Sequence, residues 1–86
     1  MIHEAAERIR RMEALFDRLQ EASAASIMEE PELTACLQQL TQYYESGQWL
    51  ADYELDEQGL LPSNLKRGVL AQDAVYDFLD HLRDYG

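Results

Sequence analysis

A single cysteine, Cys36, stands among 86 residues, so no intramolecular disulfide can form and no paired-cysteine pattern for zinc exists. A reducing cytoplasm is the expected setting. No apolar stretch approaches the roughly 20 residues that span a bilayer, and the opening Met1-Ile2-His3-Glu4 has no basic stretch leading into an apolar run. Neither membrane insertion nor export is expected. Positive charge is also scarce: seven Lys and Arg face 17 Asp and Glu, a formal net charge of −10. Such a chain repels a polyanion, which argues against direct nucleic-acid binding. Nucleophile motifs and glycine-rich phosphate loops are missing, so neither catalysis nor a cofactor is expected.

What is present is enough apolar material for one small core. The apolar residues make up 47% and the charged residues 28%, ordinary globular usage rather than that of a disordered chain. A chain of this length supports one domain, residues 1–86.

The spacing predicts an all-α fold. Ile2, Ala5, Ile9, Met12, Phe16, Leu19, Ser23 and Ser26 step alternately by three and four, the seam of a helix packed on another helix. This gives a first helix over 2–28, with the seam also open to building a homodimer. Glu4 to Arg8 and Glu7 to Arg11 are i,i+4 pairs, which places Arg8, Arg10, Arg11 and Arg18 on a solvated face. Glu29-Glu30-Pro31-Glu32 reads as a break and restart, because proline and carboxylates suit the first turn of a helix. A second helix, 31–46, carries Leu33, Cys36, Leu37, Leu40 and Tyr44 and ends at Ser46-Gly47. The short connection makes a helical hairpin.

Over 47–71 the periodicity is irregular, yet Trp49, Leu50, Tyr53, Leu55, Leu60, Leu61, Leu65, Val69 and Leu70 are too many large apolar groups to leave in water. An ordered, loop-rich segment packed on the hairpin is predicted, with turns at Gly59 and Pro62 and a single helical turn between Ser63 and Gly68. A third helix over 72–85 places Val75, Phe78, Leu79 and Leu82 on one face. Asp73, Asp77, Asp80 and Asp84 follow i, i+4, i+7, i+11 and form an acidic stripe on the other.

Tyr43-Tyr44-Glu45-Ser46-Gly47-Gln48-Trp49, then Asp52 through Pro62, Leu65-Lys66-Arg67-Gly68-Val69-Leu70 and Asp73-Ala74-Val75-Tyr76-Asp77 form a long pattern. It resembles a family of small bacterial proteins known only as a domain of unknown function. The resemblance covers roughly residues 43 to 80, with Glu7-Arg8-Ile9 matching the start of that family's long first helix. This chain departs from it at Ala71, where a small hydroxyl residue is usual, and in a shorter last helix. The resemblance implies a bacterial, helical, cytosolic protein and supplies no activity.

Four groups of residues invite chemistry. Asp52, Glu54, Asp56 and Glu57 before Gly59 suggest a calcium loop, but counting from Asp52 places Glu57 and Ser63 where a calcium loop of the helix-loop-helix kind needs glycine and a bidentate carboxylate. Solvation, or pairing with Lys66 and Arg67, is the expected state. Lys66-Arg67-Gly68 could hold a phosphate or a partner's carboxylate, against internal pairing with Asp56, Glu57 or the last helix. His81 lies one turn after Asp77 but lacks a third strong ligand, and His3 sits at a fraying end, so no metal site is expected. Tyr43, Tyr44, Trp49, Tyr53 and Tyr76 read as core with hydroxyls at the rim rather than as a recognition surface.

These readings leave a non-enzymatic protein-interaction or regulatory module as the expected function, its candidate surface comprising Asp73, Asp77, Asp80, Asp84, Lys66 and Arg67 and its partner unidentified. Residues 29–86 hold twelve of the acids and only three bases, so a basic protein surface would be steered there. The alternative is an acidic mimic of nucleic acid that inhibits a basic DNA- or RNA-handling protein: Asp73 to Asp77 rises about 6 Å along a helix, comparable with phosphate spacing along one strand.

Overall fold

Five α-helices and one 3-10 turn, with no strand, make up the computed structural model, which describes residues 2–71 and 73–85. They are α1 (Ile2–Glu21), α2 (Ala24–Glu29), α3 (Pro31–Glu45), α4 (Gln48–Glu57), the 3-10 turn Gly68–Leu70 and α5 (Ala74–Tyr85). None of these helices is long and apolar enough to cross a membrane.

The first helix does not run unbroken over 2–28. It stops at Glu21, and Ser23 caps a new helix, its hydroxyl accepting the Ser26 N–H at 3.1 Å. Serine competes for backbone hydrogen bonds, which disfavours a helix interior and favours this N-cap position. The Thr34 hydroxyl then donates to the Ile27 carbonyl at 2.7 Å and ties α2 to the start of α3. Pro31 opens α3 in its first turn, and Gly47, at φ +92°, follows its end in the left-handed conformation that glycine adopts without a Cβ penalty.

The segment 47–71 is not irregular throughout, because α4 occupies Gln48–Glu57. Its inward face, Trp49, Asp52, Tyr53 and Asp56 at i, i+3, i+4 and i+7, carries two carboxylates, so no apolar stripe marks it as a helix. Gly59, at φ +72°, ends it: the Leu60 N–H bonds to the Leu55 carbonyl and the Gly59 N–H to that of Asp56, the paired bonds of a Schellman motif. Between Ser63 and Gly68 the chain makes one hydrogen-bonded turn, the Leu65 N–H donating to the Pro62 carbonyl at 3.2 Å, and the 3-10 turn follows at Gly68. The expected start of the last helix at position 72 lies outside the described residues; Asp73, at φ +69°, precedes α5.

In this arrangement α3 packs against α1, α2 and α4, while the 3-10 turn touches α1, α4 and α5. The molecule measures 38 × 20 × 20 Å. Ile9, Leu19, Ile27, Leu40, Val69 and Leu70 are fully buried, each large aliphatic contributing on the order of 1.5–3 kcal/mol by leaving water. Phe16 of α1 meets Phe78 of α5 edge to face, ring centroids 5.4 Å apart.

The 3-10 turn is held by its backbone. The Val69 N–H donates to Glu13 Oε1 of α1 at 2.8 Å, and the Val69 carbonyl accepts Trp49 Nε1–H of α4 at 2.8 Å. Glu13 is buried beside Gly68, where an added Cβ would come within 2.9 Å of Glu13 Oε2. The anchored carboxylate cannot yield without losing the Val69 bond. Gly68→Ala is therefore expected to lower stability by about 1–2 kcal/mol in the wild-type background, and by much less once Glu13→Ala has emptied the space. Urea melts of the two single variants and the double variant check this; equal costs of Gly68→Ala in both backgrounds would contradict it.

Candidate functional site

Asp52 is the most deeply buried charged residue, 0% exposed, and it joins three helices. Arg8 of α1 donates to it twice, Nε to Oδ2 at 2.9 Å and Nη2 to Oδ1 at 2.6 Å. The Tyr43 hydroxyl of α3 donates to Oδ2 at 2.6 Å. Arg8 thus departs from the solvated face expected of it: its side chain is 25% exposed and its partner is Asp52, 44 positions away in sequence. The hydrogen bond to Asp52 holds the Arg8 guanidinium above its ordinary pKa, burial opposing. Burial, then the Asp52 hydrogen bond and charge, push the Tyr43 hydroxyl above its own.

In this cluster one carboxylate accepts three hydrogen bonds, two of them from a guanidinium. Both oxygens of Asp52 are engaged and none of it reaches solvent, and a buried bidentate pair of this kind orders its surroundings. A hollow of about 420 Å³ adjoins it, lined by Asp52 itself with Ala5, Arg8, Gln48, Leu55 and Gln58 among others, and there Arg8 and Asp52 are committed to each other.

The cations singled out in the sequence are engaged internally. Arg67 Nη1 pairs with Asp56 Oδ1 at 3.0 Å, and Nη2 donates to the Pro62 carbonyl at 2.6 Å, fastening the 62–67 loop to α4. Lys66 Nζ lies 3.3 Å from Asp17 Oδ2 in an exposed pair of small energetic value. Asp52 and Asp56, read as members of an acidic loop, are on α4 instead and serve as internal acceptors. His3 and His81 are exposed, and among the described residues no group of three or more His, Cys, Asp or Glu side chains is placed to hold a metal ion. Tyr43 is buried; Tyr44, Trp49 and Tyr53 form a half-buried run with successive ring centroids 5.2 Å apart; Tyr76 is exposed.

Two surface features remain. Asp77, Asp80 and Asp84 are exposed along α5, and Asp73 is exposed just before it. Beside them runs a groove between α3 and α5. One hollow of about 470 Å³ lies along Leu37, Gln38, Thr41, Gln42, Glu45 and Ser46. It shares Leu37, Thr41 and Glu45 with a second, of about 230 Å³, that reaches Met28, Leu79, Leu82 and Arg83. None of the six residues of the candidate surface lines either hollow. The seam of α1 is occupied by the chain itself, with Ala5, Ile9, Phe16 and Leu19 all buried and only Ile2 exposed.

The profile of a domain of unknown function, DUF4298, matches residues 4–85. The chain belongs to this family. No curated protein and no solved structure matches it. The match extends over α1 and α5 as well as the central segment, so the family pattern includes Glu13, Arg8 and Asp52 within its span.

Sequence reasoning missed the roles of Glu13, Arg8 and Asp52. A signal was present for Glu13: it sits on the apolar seam, four residues after Ile9 and three before Phe16. For Tyr43 the linkage sign is definite. Its pKa is higher in the folded than in the unfolded chain, so its contribution is fully present below about pH 10 and is lost as pH rises above it. The urea midpoint is expected to fall between about pH 8 and pH 11, and to fall less in Tyr43→Phe; an identical decline in both would contradict this.

Proposed function

We propose that this small acidic chain is a non-enzymatic protein-interaction module of the bacterial cytoplasm that docks a partner in the groove between α3 and α5. The groove itself carries the reading. Its lining combines Leu37, Thr41 and Leu82 with the exposed Met28, and methionine is a side chain that adapts to varied apolar surfaces. The buried carboxylates are compatible with the same reading, since Asp52 and Glu13 are spent on holding helices together. The free cysteine fits a reducing compartment.

One observation favours the second reading, an acidic mimic of nucleic acid: all four aspartates of the stripe are exposed. Asp73, however, lies outside α5 with a left-handed backbone, so the helical stripe proper is Asp77, Asp80 and Asp84, interspersed with Arg83. The groove reading accounts for the apolar lining, which a phosphate mimic does not use.

Site-specific photocrosslinking in cells separates the two. A photoreactive side chain at Gln38 or Gln42 is expected to capture a partner that the same group at Arg11, exposed on α1, does not, and that Thr41→Trp abolishes. Loss on Asp77→Asn with Asp80→Asn, with no effect of Thr41→Trp, would favour mimicry instead.

A further inference from the structure

We infer that the occupant of the α3–α5 groove is a basic amphipathic helix of another protein; this rests on the docking reading above and names the class of partner. The dimensions come first. The lining runs from Leu37 of α3 to Ser46 just past its end, about 13 Å at 1.5 Å per residue, so it matches about two and a half turns of a partner helix. Its apolar elements lie on both walls, Leu37 on α3 and Met28, Leu79 and Leu82 across from it, and an apolar stripe at i, i+3, i+4 and i+7 fits between such walls.

Charge chooses the partner's sign. Glu45 lines the groove, and two of its apolar wall residues are each followed by an exposed carboxylate, Met28 by Glu29 and Leu79 by Asp80. Of the three cations in residues 29–86, Lys66 and Arg67 are engaged with Asp17 and Asp56, and only Arg83 lines the groove. The charges lining the groove itself, Glu45 and Arg83, balance, so the bias toward lysines and arginines flanking the partner's apolar stripe comes from the exposed carboxylates of the surrounding surface. A second copy of this chain brings its own −10 and is repelled. Arg83, alone at one end, offers a site for one acidic residue and so sets the direction in which the helix lies.

The test titrates the full chain with four fluorescein-labelled 15-residue synthetic peptides, read by anisotropy at low salt. Three have leucines at helical spacing, with lysine, glutamine or glutamate elsewhere; the fourth has the lysine composition with its leucines scattered. Thr41→Trp fills the groove without changing charge, and Gln38→Trp does the same should the first variant melt early. The lysine amphipathic peptide is expected to bind at least about tenfold more tightly than the other three. It should weaken at least about tenfold on Thr41→Trp and several-fold at about 0.5 M salt. If the glutamine or glutamate peptide binds as well and is equally sensitive to Thr41→Trp, the basic partner is overturned and the docking groove stands. If the scattered lysine peptide binds as tightly as the ordered one, charge alone accounts for binding and the helix inference fails. If no peptide responds to groove filling, the docking reading falls with it.

Discussion

The carboxylate of Asp52 is the interaction on which the rest of the structure depends. It draws Arg8 from α1 and Tyr43 from α3 onto α4, so three helices meet at one charge that has no contact with water. Burying a carboxylate is costly unless its lone pairs are met by donors, and here three donors meet them. The penalty of leaving any one partner out makes the arrangement specific: removing one member of a buried pair costs about 3–5 kcal/mol, a large part of what a domain of this size has.

From that tie the remaining contacts follow outward. With α4 fixed, Trp49 can hold the Val69 carbonyl, while Glu13 holds the Val69 N–H from α1, so the 3-10 turn is fastened from two helices by its own backbone. Asp56 fixes the preceding loop through Arg67. The 3-10 turn in turn receives α5, whose Val75 and Leu82 are buried while Leu79 stays at the edge. The groove exists because α5 is anchored chiefly through this turn and through Phe78 on Phe16, rather than along the length of α3. Its acidic surroundings are the carboxylates left over once the interior has taken Asp52, Asp56 and Glu13.

Much of this was legible in the sequence. The seam of α1, the restart at Pro31, the glycine after α3 and the apolar face of α5 all follow from spacing and backbone chemistry, and they are where those rules place them. What escaped was organised by polar groups instead. The inward face of α4 contains Asp52 and Asp56, so a search for apolar periodicity finds no helix there. Arg8 beside Glu4 reads as a surface i,i+4 pair, because its partner is 44 positions away and only the fold brings it near. The groove was invisible for a related reason: Leu37 and Leu79 each look like core residues on their own helix, and the space between helices is not encoded in either of them.

The most direct test of this account is a double-mutant cycle between Arg8→Met and Asp52→Asn, measured by urea denaturation. Each single change leaves the other partner uncompensated, so the double variant is expected to lose less stability than the two singles added together, by about 1–3 kcal/mol. Costs that add to within about 0.5 kcal/mol would show that the pair does not bear on folding, and would contradict the claim that this carboxylate holds the three helices together.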